Sequence, residues 1–147
     1  MLRNIFISLF VVLGLVVSGA NASQLPVYAE DGVAINGYDS VAYLEHITAV
    51  EGKDEFTFDW MGATWKFSSQ ENLDKFMVSP EDYAPQYGGY CAYAVANGYT
   101  ATTDPDAFTV HEGKLYLNYN QWVSRLWRLK MNSFIEQGNE NWPGVLE

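Results

Sequence analysis

Cys91 is the single cysteine of this chain, so no internal disulfide can hold the fold together. Whatever the chain becomes must rest on its apolar core and its hydrogen bonds. The sequence is equipped for that. Hydrophobic residues make up 48% of it and aromatic residues 16%, and its length suits one domain with a buried core. The lone thiol also excludes a Cys-x-x-Cys dithiol centre. It leaves Cys91 free, paired with another molecule, bound to something, or hidden in the core.

The first segment reads as a targeting signal rather than as fold. Arg3 precedes a nearly unbroken apolar run from Ile5 to Val17, and Ala20-Asn21-Ala22 matches a small-x-small cleavage site. The run is shorter than the ~20 residues a spanning helix needs. Residues 1–22 are therefore expected to be a secretory signal peptide and residues 23–147 one exported, periplasmic domain with no integral membrane segment after cleavage. No Ser/Gly/Pro linker and no internal repeat divides that domain. The chain carries a formal net charge of −10, and cleavage would remove Arg3 and leave it more acidic. Such a surface argues against nucleic acid and against anionic membranes.

The element pattern predicts a small α+β domain: two β-hairpins forming a sheet packed against several helices. Asn36-Gly37-Tyr38-Asp39 reads as a turn, with Asp39 capping a short helix through Leu44. Glu55 to Trp60 and Thr64 to Ser68 alternate around Met61-Gly62 as a hairpin. Ser68-x-x-Glu71 is a capping-box signature for a helix carrying Leu73, Phe76 and Met77, which Pro80 ends. Ala107 to His111 and Lys114 to Tyr119 flank Glu112-Gly113 as a second hairpin. Asn120 caps a last helix, Gln121 to Gln137, which Gly138 stops; its broad apolar face is expected to pack against sheet.

Cys91 follows Tyr87-Gly88-Gly89-Tyr90 and precedes a short apolar helix closed by Gly98. At a helix N-terminus, free N–H groups favour a thiolate over a thiol. The plainer reading is a buried structural cysteine. The two glycines imply that the backbone passes close to a helix or a ligand. Tyr83, Tyr87, Tyr90, Tyr93 and Tyr99 read as core and rim of an aromatic-rich domain, with a pocket lining as the sharper alternative.

Several runs resemble the YHS domain. Gly62-Ala63-Thr64-Trp65-Lys66-Phe67-Ser68-Ser69, Phe76 and Ser79-Pro80-Glu81-Asp82-Tyr83 are similar to its core. Gly37 to Tyr43, Tyr83 to Ala92, Gly113 to Asn120 and the Asn141-Trp142-Pro143 tail resemble the longer, exported branch of that family. Metal-binding relatives carry a Cys-x-x-x-Cys pair at the strand–helix junction. Ser68 and Asn72 stand there in this chain, and Thr57 stands near the place of the naming histidine, so that thiolate pair cannot be carried over.

The expectation is a non-catalytic binding module in which Cys91, with His111 and Met77 as candidate co-ligands, holds a soft metal such as copper, delivered by a protein or metal-donor partner. Met61, Met131 and His46 are weaker donors: Met61 is expected exposed in its turn, Met131 packed on the last helix, and His46 structural. Met77 is itself expected chiefly in the core and His111 at a strand end. Two alternatives stand beside this: a thiol-based redox protein using Cys91, and a structural or partner-binding domain with Cys91 buried. A Cys91–His111 nucleophile pair lacks an orienting third residue, Asp104-Pro105-Asp106 is first a turn signal, and no residue is assigned a catalytic role.

Overall fold

A computed structural model describes residues 24–147; the proposed signal segment lies outside them. The chain is α+β. A short hairpin, β1 (Ala29–Glu30) and β2 (Val33–Ala34), precedes helix α1 (Ser40–His46). Strands β3 (Lys53–Trp60) and β4 (Ala63–Phe67) follow, then α2 (Gln70–Val78), α3 (Pro80–Tyr83) and α4 (Ala92–Ala96). The chain ends with β5 (Phe108–His111), β6 (Lys114–Leu117), α5 (Gln121–Leu129) and α6 (Met131–Asn141). Both expected hairpins are present, in separate sheets. One is a four-stranded sheet in the order β1-β2-β4-β3; the other is the β5–β6 ribbon. Both turns place two residues at positive φ, Met61-Gly62 and Glu112-Gly113, the geometry that matches strand twist in two-residue hairpins. No described helix is long and apolar enough to cross a membrane.

Strand β6 divides the interior. Leu115 and Leu117 enter a core with Trp65, Phe67, Phe76, Tyr43, Val41 and Ile35. Tyr116, on the opposite face, enters a second cluster with Tyr87, Ala92, Val95 and Trp127. Alternate side chains of a strand point to opposite faces, so four residues join two cores. In the first core the Phe76 ring lies 5.0 Å from Trp65 and 4.9 Å from Phe67.

Asp39 locks the first core. It is fully buried, and its carboxylate accepts five hydrogen bonds. Oδ1 takes the Val41 and Ala42 amides at 2.9 and 3.0 Å, which caps α1 as expected. Oδ2 takes the Ser68 amide, the Ser68 hydroxyl and the Asn72 side-chain amide at 2.8, 2.6 and 2.8 Å. The expected capping box is replaced by a single cap one residue later. Ser69, not Ser68, caps α2 through the Asn72 amide, because the Ser68 hydroxyl is committed to Asp39.

The last helix departs from expectation. It breaks at Lys130, whose φ and ψ of −133° and 43° are not helical, and Gly138 lies inside α6 rather than beyond it. A Cβ at Gly138 would sit 2.6 Å from Tyr87 Oη, so the glycine is a contact point rather than a stop. The pair does not lay its whole apolar face on sheet. Trp127 reaches Tyr116 of β6 at 5.0 Å between ring centroids, while Trp122 and Leu129 stay exposed.

The Asp39 arrangement predicts the cost of a near-isosteric change. In Asp39→Asn one carboxylate oxygen becomes an NH₂ group facing other donors, whichever way the amide turns. Chemical denaturation is expected to show a loss of roughly 3 kcal/mol or more, the scale for orphaned buried donors of a charge-assisted network.

Candidate functional site

Cys91 is the N-cap of the five-residue helix α4, as its sequence address implies, but it is 1% exposed. Its sulfur donates toward Asn118 Oδ1 at 3.5 Å and accepts the Tyr119 amide at 3.2 Å. The same Asn118 oxygen accepts the Tyr93 amide at 3.0 Å, so a buried asparagine ties the start of α4 to the end of β6. Burial pushes the Cys91 thiol up; the backbone amides of Ala94, Tyr119 and Tyr93 pull it down, and burial wins. Of the two readings of Cys91, the helix start is present, while burial outweighs the few N–H groups of a five-residue helix and favours the thiol.

Cys91 lines a cleft of about 260 Å³ together with Tyr93, Ala94, Tyr99, Ala101, Tyr119 and Val123. Neither His111 nor Met77 lines it. His111 ends β5 beside Glu112, 3.9 Å away. Met77 is 49% exposed on α2, so its assignment to the core fails: it follows Phe76 on the helix and points away from the face that Phe76 buries. Among the described residues, no group of three or more His, Cys, Asp and Glu is placed to hold a metal ion. Ser68 and Asn72 converge on Asp39. Asp104 is a turn residue, its carboxylate accepting the Asp106 amide at 2.9 Å.

A larger concavity lies elsewhere. The β3–β4 turn, the Pro85–Gly88 segment and the C-terminal end of α6 enclose about 530 Å³. Its walls are Trp60, Met61, Trp65, Tyr87 and Trp142, with Glu81, Gln86 and Asn139 supplying polar groups. Trp65 spends its indole N–H on the Trp60 carbonyl at 3.0 Å. Tyr87 lies within hydrogen-bond reach of the Ile135 carbonyl and Asn139 Oδ1, at 3.2 and 3.1 Å. Those bonds fix a residue whose φ is +57°, a left-handed backbone that a bulky side chain adopts only when the surroundings hold it. The next residue explains the glycine pair. A Cβ at Gly88 would lie 1.9 Å from the Pro26 carbonyl oxygen, and the Gly88 carbonyl accepts the Tyr28 amide at 2.9 Å. The close approach anticipated there is to the N-terminal segment of the chain itself.

Sequence reasoning missed this cleft, although its residues were in view. Trp60 and Met61 read as strand and turn, and Trp142 as tail. Their convergence depends on how α6 returns against Tyr87, which no local pattern records. Met61 is exposed, as its turn position implied.

Searches against family models, curated proteins and solved structures gave no match.

Cys91 should alkylate slowly in the native protein and rapidly in urea. A raised thiol pKa also fixes the sign of a pH effect. Above the ordinary thiol value of ~8.5, the unfolded chain loses the proton first, so it binds fewer protons than the native state and stability falls as pH rises. Urea melts from pH 7 to 10 should show that fall, with a shallower slope in Cys91→Ala. Tyrosines that burial also pushes up, Tyr43 and Tyr87 among them, add to the fall only toward the top of that range, near the ordinary phenol value of ~10.

Proposed function

We propose that this chain is an exported, non-catalytic binding domain of the YHS type, and that its ligand site is the tryptophan-lined cleft rather than Cys91. The observation that carries this is the wall itself. Half-buried Trp60 and Trp142 and exposed Met61 line the cleft beside the buried Trp65 and Tyr87, with three polar side chains among them. Apolar walls with a few placed polar groups are the usual make-up of a small-molecule site. The ligand that fits is small and largely apolar, with one group able to bond Gln86 or Asn139, or a positive charge facing Glu81. Aromatic faces attract such a charge as well.

The soft-metal reading draws less support. It needs His111 or Met77 beside Cys91, and neither lines the Cys91 cleft. The redox reading needs a lowered thiol pKa, and burial raises it. In the binding-domain reading Cys91 acts as a small apolar residue with a weak S–H donor, joined to Asn118.

Native mass spectrometry of the chain purified from exported material tests all three. The expected result is a non-metal adduct that Trp142→Ala loses and Cys91→Ser keeps, together with tryptophan fluorescence that shifts on ligand removal. One equivalent of copper lost in Cys91→Ser would restore the metal reading; an oxidised or mixed-disulfide Cys91 would restore the redox one. No adduct, with fluorescence unmoved by a panel of apolar amines and alcohols, would discard the cleft as a site.

A further inference from the structure

Helix α5 has more apolar surface than the fold covers. Ser124 and Trp127 point inward and are buried. Trp122 and Leu129 are 65% and 79% exposed. At about 100° per residue, Trp122 and Leu129 lie within ~20° of each other on the outer side, and partly buried Leu126 flanks them. Two exposed tyrosines extend the patch. Tyr99 and Tyr119 line the same small cleft as Val123, the neighbour of Trp122.

The charge along α5 itself runs against that of the whole chain, and Asp106, whose carbonyl accepts from Gln121 at 2.7 Å, is the acidic residue held beside its start. The chain is acidic, with eight Lys and Arg against 18 Asp and Glu. Yet Arg125, Arg128 and Lys130 fall within one short stretch, and no Asp or Glu occurs from residue 113 to 135. All three cations are exposed, and none joins an ion pair among the described residues.

We propose that the outer face of α5 docks on an anionic phospholipid surface, with Trp122 and Leu129 entering the headgroup boundary and Arg125, Arg128 and Lys130 meeting phosphate. The combination is that of an interfacial helix: a Trp/Leu ridge, tyrosines at its border and a basic flank. Complementary charge selects the surface. A second copy of the chain is disfavoured, because a two-fold contact across this ridge would set its cations against their own copies. The tryptophan and the bordering tyrosines suit the headgroup level of a bilayer, which favours a lipid surface over an acidic protein segment. The acidity that argues against anionic membranes is a property of the whole chain, and this face is its local exception.

The test is co-sedimentation of the full purified chain with vesicles of phosphatidylglycerol and phosphatidylcholine in equal parts, against phosphatidylcholine alone. Binding is expected to the first and at least tenfold weaker to the second, and to fall as salt rises. The double variant Trp122→Ser/Leu129→Ser should bind at least tenfold more weakly with an unchanged thermal melt. Met77→Ser, an exposed apolar residue on α2, should bind as the parent does. If the first variant folds poorly, Arg125→Gln/Arg128→Gln carries the test, with an expected loss of at least fivefold and a weaker salt dependence. No binding to the anionic vesicles, or binding that survives both double variants, overturns the proposal. So does a dimer that Trp122→Ser/Leu129→Ser dissolves without any vesicle binding, or binding to soluble polyglutamate but not to vesicles. The cleft is untouched by these variants, so its ligand adduct reports separately.

Discussion

The carboxylate of Asp39 is the point on which the first core turns. It caps α1, receives the end of β4 through Ser68, and receives α2 through Asn72. A buried charge is tolerable only when its lone pairs are filled, and here five donors from three elements fill them. The arrangement also bears on the chemistry of the domain. Ser68 and Asn72 are both engaged by a neighbour within the same chain. That junction is built for holding elements together.

With that junction and Cys91 both committed to internal hydrogen bonds, the proposed cleft and docking ridge draw on other parts of the surface. Strand β6 serves two cores at once. The cleft of Trp60 and Trp142 spans both clusters: Trp65 belongs to the first and Tyr87 to the second. The α5 ridge is also an outer edge of the second cluster, where Trp127 supplies the inner anchor.

What the sequence conveyed followed physical range. Caps and two-residue turns are local, and Asp39, Asn120, Met61-Gly62 and Glu112-Gly113 behave as their chemistry dictates. Cys91 as a helix start was legible for the same reason. Its burial was not, because partners that close over the sulfur, Asn118 and Tyr119, lie far along the chain. The shift of the α2 cap from Ser68 to Ser69 also came from a distant partner, Asp39. The break at Lys130 carries no proline or glycine, so helical spacing alone ran straight through it. Gly138 was misread as a stop for a related reason: its meaning lies in the Tyr87 ring, 51 positions earlier in the chain. The cleft combines three such distant relations, and of its aromatic walls only Tyr87 was legible as a candidate pocket lining.

The first described residues lie across the second half of the molecule. The Gln24 amide donates to the Leu146 carbonyl, the Leu25 carbonyl accepts the Tyr90 hydroxyl, and the Tyr28 amide donates to the Gly88 carbonyl. Val27 meanwhile sits in the first core. A chain synthesised from its N-terminus therefore makes this strap first and seats it last, since Leu146 must emerge before Gln24 has its partner. Closing so long a loop is entropically slow. Once it is closed, neither half can loosen without releasing a segment that the other half also holds, and in a protein with no disulfide that shared strap takes the place of a covalent tie.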